Sequence, residues 1–200
     1  MIVTRARLSW HVGGHALLAV EPSVGELADH APALAAAYND PANATLLGHV
    51  DELTQSDVIE SYADLADDGA RQFLLFVDGA LAGDADLRGL DGDGAAEFAF
   101  LIGQPRAQGQ GLGTRFALMI HAFGFAPPPA GLGLERIYAS VVPANAASLR
   151  VFAKLGYHED PTPAGRAWAD EPGDVVLVID RATFAARHPE AQAEVVLGHR

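Results

Sequence analysis

The chain has 200 residues, 50% of them hydrophobic, and its 26 acidic and 13 basic residues give a formal net charge of −13. This length fits one domain with a sizeable core. The acid excess argues against nucleic acid as a partner, because phosphate backbones are met by basic surfaces. The chain contains no cysteine, which excludes disulfides, thiolate metal ligands and a cysteine nucleophile.

Composition also bears on location and on partners. No apolar run approaches the roughly 18 residues of a membrane span, and the first residues lack the pattern of a signal peptide. We therefore expect a cytoplasmic protein with no membrane partner. The acid excess itself has two interpretations: solubility, or an acidic entrance that attracts cationic amines. The densest acidic stretch contains Asp64, Asp67, Asp68, Asp84, Asp86, Asp91 and Asp93.

The first part of the chain shows two strand patterns followed by two helix patterns. Residues 2–10 and 16–21 are predicted as strands, and residues 25–38 as a helix whose apolar positions share one face. This helix ends at Asn39-Asp40-Pro41, because the residue before a proline disfavours helix. Thr54 is predicted to cap a second helix that reaches about residue 65.

The remainder of the chain is richer in strands. Residues 72–77 and 80–87 flank an Asp-Gly pair, whose glycine supplies the positive φ of a hairpin turn. Further strands are predicted at 95–102, 136–142 and 174–180, with a helix after the first of these and another at 145–155. Residues from about 188 onward are expected to form helix and a loose tail. The chain shows no repeats and no linker, so residues 1–200 are predicted to form a single mixed α/β domain.

A glycine-rich segment separates the strand at 95–102 from the helix that follows it. Gly109, Gly111 and Gly113 lack a Cβ atom, so the backbone can adopt unusual dihedral angles and let an anion approach. The first N–H groups of the helix have no internal partner and lie at the positive end of its dipole. A P-loop is excluded because Thr114 follows where a lysine is needed. A dinucleotide fingerprint is excluded because its third glycine would fall at Thr114.

Two motifs in this order identify a family. Gln108-x-x-Gly111-x-Gly113 resembles the pyrophosphate-binding signature of the GNAT superfamily of N-acetyltransferases, and residues 143–157 resemble the family's later motif. The resemblance is strongest over residues 71–157. It implies an α/β (α+β) fold with a central mixed, mostly antiparallel sheet, flanked by helices and splayed at the acyl-CoA site.

The resemblance also implies an activity. A GNAT enzyme moves an acetyl group from acetyl-CoA directly to a primary amine, on a small molecule or a peptide, and a chain without cysteine has no thiol to carry the acyl group. Residues 37–41 and Ser148 look like the branch of ribosomal-protein and small-amine N-acetyltransferases. A non-catalytic acyl-CoA-binding sensor or regulatory module is the alternative. A homodimer is a further expectation. No metal is expected, because two glycines between His11 and His15 disfavour a helix that would bring them together.

The resemblance assigns site residues as well. Those implied for cofactor binding are Ile102, Gln108, Gly109, Gln110, Gly111, Leu112, Gly113, Thr114, Asn145 and Phe152. The three implied for catalysis are Glu97, Asn145 and Ser148. Glu97 is expected either to take the proton of the amine, directly or through water, or to orient the substrate without taking a proton. Asn145 is expected near the pantetheine or acetyl end of the cofactor.

The residue that meets the leaving thiolate is less obvious. Asn145, Ser148 and Phe152 stand at i, i+3 and i+7, which places them on one helix face. Many relatives carry a tyrosine at the position of Phe152, and it protonates the thiolate. Because phenylalanine has no proton to give, Ser148 is the expected replacement, with a packing contact to the cofactor as its alternative. Core packing is the expected role of the Phe152 ring.

Overall fold

The computed structural model describes residues 5–47, 51–90, 92–104 and 109–199. Gln108 and Arg106 lie outside these ranges. The described strands are β1 (Ala6–Val12), β2 (His15–Val20), β3 (Arg71–Val77), β4 (Ala80–Arg88), β5 (Ala95–Ile102), β6 (Arg136–Val141), β7 (His158–Glu159), β8 (Val175–Asp180) and β9 (Val196–His199). The described helices are α1 (Val24–Tyr38), α2 (Pro41–Leu47), α3 (Gln55–Asp67), α4 (Leu112–Phe125), α5 (Ala146–Leu155), α6 (Pro163–Arg166), α7 (Arg181–Arg187) and α8 (Pro189–Glu194).

All described strands belong to one sheet, in the order β7-β8-β6-β5-β4-β3-β2-β1-β9. Neighbouring strands are antiparallel throughout, except that β5 and β6 are parallel. Helices cover both faces. On one face, α4 packs its buried side, including Phe116 and Phe123, against the larger core. On the other face, α1 and α3 pack with Leu34 and Val58 against β2 and β3. The predicted mixed, mostly antiparallel sheet is confirmed.

Helix ends follow the local sequence. Ser23 and Glu26 form a capping box at the start of α1, and Thr54 with Asp57 forms another at the start of α3, as predicted for Thr54. Because a proline at the first helical position loses no hydrogen bond, Pro41 can begin α2, a helix that the sequence pattern did not predict.

The expectation of a loose C-terminal tail was wrong. Residues 189–194 form α8, and β9 pairs antiparallel with β1, with Leu8 opposite Leu197. The indole N–H of Trp10 donates to the Glu194 carboxylate at 3.1 Å, which fixes α8 against the sheet. This segment supplies the backbone partners that β1 would otherwise lack at its outer edge.

The parallel pair of strands is short. β5 and β6 pair only through Ala95, Ala96 and Glu97, opposite residues 136–138. The next residues of β5 continue along β4 instead, as far as Ile102 opposite Gly83. The sheet therefore opens between β5 and β6 on the side where β5 leads into the glycine segment, and the expected splay is confirmed.

A buried carboxylate connects the sheet to α1 and α3. Asp84 on β4 accepts hydrogen bonds from the hydroxyls of Tyr38, at 2.8 Å, and Tyr62, at 3.0 Å. Burial raises the pKa of Asp84 to about 6, although the two tyrosine bonds oppose that change. On the same strand, burial raises the pKa of Asp86 to about 7, against the attraction of Arg88.

These pKa values predict how stability depends on pH. A carboxyl group whose pKa is higher in the folded state than its unfolded value favours the folded state when protonated. That contribution is lost as pH rises from about 4 to about 7. His121 acts in the opposite direction: burial lowers its pKa to about 3, so its ionisation destabilises the fold as pH falls below about 6.5. The contribution of His121 cancels when the unfolding free energies of two proteins that both contain it are subtracted.

We therefore compare the wild type with Asp84→Asn, which cannot ionise at this position. The free energy of unfolding, measured by denaturant titration, is expected to shift in favour of the variant as pH rises from about 4 to about 7. The total shift should be on the order of 2–3 kcal/mol. Asp29→Asn, an exposed acid on α1, is the matched control. If the unfolding free energies of wild type and Asp84→Asn changed in parallel with pH, the raised pKa of Asp84 would be contradicted.

Candidate active site

Two cavities meet where β5 and β6 part. The first, which we call the loop cavity, has a volume of about 490 Å³ and runs from the glycine segment to α5. The second, which we call the acidic cavity, has a volume of about 410 Å³ and lies over β4 and β5. The residues that line both cavities are Leu46, Leu47, Phe100, Leu101, Asn145 and Ser148. A molecule in one cavity can therefore reach a molecule in the other at this junction.

The loop cavity is lined by most of the predicted cofactor residues. Those on its wall are Ile102, Gly109, Gly111, Leu112, Gly113, Thr114 and Asn145. Gln110 is exposed and does not line it, and Gln108 lies outside the described residues. Phe152 lines the acidic cavity instead. Most of the predicted cofactor residues therefore lie on one continuous surface, and Gln110 and Phe152 lie outside it.

The start of α4 has the character of an anion site. Gly111 is its N-cap, with a left-handed φ of 75°, and within the described residues no side chain caps this end. The first N–H groups of the helix are consequently available on the cavity wall, where the helix dipole is positive. A side chain at Gly111 would be strained by its φ.

Gly113 lies close to β5. A Cβ atom at this position would lie 3.3 Å from the Phe100 ring and 3.6 Å from Ile102 Cγ1. The missing side chain thus lets α4 pack closely on β5.

Two basic residues of the loop cavity were missed by the sequence analysis. Arg150 and Lys154 both line it, and they stand four residues apart on α5, so they share one helix face. That spacing, just after Asn145 and Ser148, was the available signal. Arg115, in the first turn of α4, packs its guanidinium over Gly13 in the turn between β1 and β2.

Asn145 and Ser148 lie at the cavity junction because α5 begins there. The side-chain oxygen of Asn145 accepts the backbone N–H of Ser148 at 3.0 Å, so Asn145 is the N-cap of α5. Its amide nitrogen donates to the Leu46 carbonyl at 3.4 Å, which links α5 to α2 across the junction. This capping geometry holds Ser148 on the wall that both cavities share.

Phe152 belongs to an aromatic cluster beneath the junction. Its ring packs edge-on against Phe98, Phe100 and Tyr157, with centroid distances of 6.2, 6.0 and 4.9 Å. Its side chain is 3% exposed, which agrees with core packing. The Tyr157 hydroxyl bonds His121 in the same core and lines neither cavity.

Glu97 is buried at the base of the acidic cavity and does not line it. Arg88 donates to both of its oxygens, through Nε and a terminal nitrogen, each at 3.0 Å. Glu97 is also three to four residues from Phe100 and Leu101, a separation of about 10–13 Å along an extended strand. The carboxylates closer to the junction are Asp84, which pairs across the sheet with Leu101, and Asp86, which pairs with Ala99.

The far wall of the acidic cavity comes from the loop after α6. Asp170, Glu171 and Asp174 line it. The loop is fixed by the Ser140 hydroxyl, which donates to Asp174 and accepts the Asp170 N–H, both at 2.9 Å. Asp170 also pairs with Arg88 at 3.1 Å. The sequence analysis singled out the acidic stretch of residues 64–93, yet it missed this loop because nothing local brings it to β4.

The described part of the chain lacks two kinds of feature. It contains no group of three or more His, Cys, Asp or Glu side chains arranged to hold a metal ion. None of its helices is both long and apolar enough to cross a bilayer.

Solved structures with the same fold include three with close overall similarity. RimJ of Mycobacterium smegmatis, solved with CoA-disulfide, superposes with a TM-score of 0.72 at 15% identity, covering 95% of each chain. The bh2621 protein of Bacillus halodurans gives 0.72 at 16% identity, covering 94% of this chain and 95% of that one. The aminoglycoside acetyltransferase AAC(6')-Ib, solved with coenzyme A, gives 0.67 at 18% identity, covering 90% and 98%.

A family model completes the comparison. The model described as "Acetyltransferase (GNAT) domain" matches residues 26–158, about two thirds of the chain. That range contains the glycine segment, the strand pair that opens, and α5 with its capping asparagine. The expected family and cosubstrate are confirmed. The chain belongs to the GNAT family and is an N-acetyltransferase that uses acetyl-CoA.

Proposed function

We propose that this enzyme acetylates a primary amine that binds in the acidic cavity, on a small molecule or a peptide. The observation that carries the proposal is the junction of the two cavities at Ser148. One cavity ends at helix amides and two basic side chains, which suit an anionic cofactor. The other is lined by carboxylates, which suit a cationic amine. This separation of charge supports direct transfer between two bound substrates.

The loop cavity is proposed to hold coenzyme A. The amides of residues 111–114, with Gly109 and Gln110 beside them, would bind the diphosphate. Gln108 remains part of this proposal from its motif. Arg150 and Lys154 add positive charge on the same wall. The pantetheine arm carries amide groups, and it can complete hydrogen bonds of β5 where β6 has parted from it. Asn145 then lies beside the acetyl end.

The reaction forms a C–N bond and breaks a C–S bond. The bound ammonium first gives a proton to a carboxylate. The neutral amine then attacks the thioester carbonyl, and as the C–S bond breaks the thiolate leaves and takes up the second proton of the nitrogen. Ser148 is proposed to hydrogen-bond that thiolate, because its hydroxyl is on the shared wall and Phe152 has no proton to give. The sensor alternative rested on Phe152 alone, and membership in an enzyme family favours catalysis.

Glu97 is proposed to act by position rather than as the base. Both of its oxygens are held by Arg88, and it does not line the acidic cavity. Of the two roles that the sequence left open, orienting therefore has the better support. Asp84 and Asp86 are the carboxylates proposed to receive the proton, because they line the cavity nearer the junction.

A cytoplasmic location and assembly as a homodimer also belong to this proposal. Light scattering after size-exclusion chromatography measures the oligomeric state. The branch of ribosomal-protein and small-amine N-acetyltransferases supplies the acceptors to screen first. RimJ and the aminoglycoside acetyltransferase AAC(6')-Ib are two of the solved structures that share this fold.

The cofactor part of the proposal predicts that basic residues of α5 strengthen CoA binding. Arg150→Gln and Lys154→Gln should each raise the dissociation constant for CoA about 5-fold at low salt, because each removes an exposed charge near phosphate. Calorimetric titration measures this. Arg166→Gln, an exposed change on α6, should have no effect. Unchanged CoA affinity in both α5 variants would place the phosphates elsewhere.

Removal of the Ser148 hydroxyl should slow the chemical step. Ser148→Ala is expected to lower kcat by about 10- to 100-fold, the value of a hydrogen bond to a charged group, while CoA affinity stays within about 2-fold. Thiol release at saturating acetyl-CoA gives kcat, and calorimetry gives the affinity. Ser61→Ala on α3 is the control. An unchanged kcat would remove Ser148 from the thiolate role.

Glu97→Gln distinguishes an orienting residue from a base. The variant keeps a hydrogen-bonding side chain for Arg88 and cannot take a proton. We expect KM for the amine to rise about 3- to 10-fold, with kcat within about 3-fold and an unchanged pH profile. Loss of kcat by the 10²-fold or more that is typical of a general base, together with loss of the rise of kcat with pH, would instead make Glu97 the base.

A further inference from the structure

The acidic cavity contains more negative than positive charge. The acidic residues that line it are Asp84, Asp86, Asp170, Glu171 and Asp174. Among the described lining residues Arg88 is the one base, and its charge is already matched by Glu97 behind the wall and by Asp170 at 3.1 Å. A molecule that enters this cavity therefore meets a net negative surface.

Two of these carboxylates have an oxygen that the described residues leave without a hydrogen bond. Asp84 is 5% exposed, and its Oδ1 has no partner although its Oδ2 accepts from Tyr38 and Tyr62. Oδ1 of Asp86 likewise has no hydrogen bond; it forms an ion pair with Arg88 Nε at 3.9 Å, beyond hydrogen-bond distance. An unpaired buried carboxylate is unfavourable unless a cation or a donor meets it. These atoms therefore point to a cationic ligand.

The same carboxylates form a row that begins at the cavity junction. Asp84 lies opposite Leu101, a junction residue, and Asp86 lies opposite Ala99, two residues further along the sheet. Their Cα atoms are separated by about 7 Å along β4. Arg88 follows on the same face, and its terminal nitrogen donates a hydrogen bond to Asp170. An acceptor that extends away from the junction must pass along this row.

We propose that the acceptor carries a second cationic group besides its reacting amine, and that Asp84, Asp86 and Asp170 bind the two charges in sequence. The reacting amine lies at Asp84, beside the junction, and the second cation lies at Oδ1 of Asp86, with Asp170 adding negative charge beyond Arg88. This inference rests on the proposed function, because it assigns the amine to the acidic cavity. It narrows the acceptor from amines in general to oligoamines.

The test compares amines of equal length with one and with two charges. With the full-length enzyme at saturating acetyl-CoA, kcat/KM is measured by thiol release for n-butylamine and putrescine. A second pair, alanyl-alanine amide and alanyl-lysine amide, distinguishes a peptide source of the second charge from an aliphatic one. We expect the dication to be preferred by about 10- to 100-fold in at least one pair, mainly through KM. The preference should fall as salt rises.

Variants connect that preference to the row of carboxylates. Asp170→Asn should reduce the ratio of dication to monocation several-fold, while kcat/KM for the monoamine changes less. Asp29→Asn, with the same loss of charge on exposed α1, should leave the ratio as in the wild type. Equal kcat/KM for one and two charges in both pairs would overturn the inference while leaving amine acetylation intact.

Calorimetry keeps the inference testable without turnover. Putrescine and n-butylamine are titrated into the CoA-bound protein, together with the two peptides. Tighter binding of the dication that is lost in Asp86→Asn supports the row even if no amine is acetylated, which would count against the proposed function alone. If monocation and dication bind equally, or neither binds, the row is not an oligoamine site.

Discussion

The short pairing between β5 and β6 is the constraint on which the site depends. Three residue pairs join these strands, and beyond Glu97 the backbone of β5 follows β4 alone. Where two parallel strands separate and no other strand replaces the pairing, their backbone N–H and C=O groups must hydrogen-bond another molecule. The gap leads from the glycine segment to Ser148, so one interruption of the sheet creates both the loop cavity that we propose for the cofactor and the junction at which we propose transfer.

Charge is distributed to match the two substrates. The start of α4 with Arg150 and Lys154 makes one end of the site electropositive, although the chain as a whole carries −13. Asp84, Asp86 and the loop after α6 make the other end electronegative. Arg88 joins these acidic elements, because it pairs with Glu97 and with Asp170. The net charge of the chain alone would have indicated only the electronegative end of the site.

Local signals were enough for much of the fold and for the loop cavity. The Thr54 cap, the hairpin at Asp78-Gly79 and the strand before the glycine segment all depend on near neighbours in the chain. Features that depend on distant contacts were missed or misread. The pairing of β9 with β1 joins opposite ends of the chain. The Arg88 partner of Glu97 lies on the neighbouring strand β4. Asp170 reaches the site from a loop 82 residues beyond Arg88. A Cβ atom at Gly113 would lie 3.3 Å from the Phe100 ring, a contact that no motif could indicate.

A crystal structure of the enzyme with CoA tests the central claim most directly. The account predicts that the diphosphate lies on the amides at the start of α4, that the pantetheine arm runs between β5 and β6, and that the sulfur atom lies beside Ser148 at the junction. A diphosphate bound elsewhere, or a gap that is closed by the pairing of β5 and β6 beyond Glu97 while CoA is bound, would contradict it.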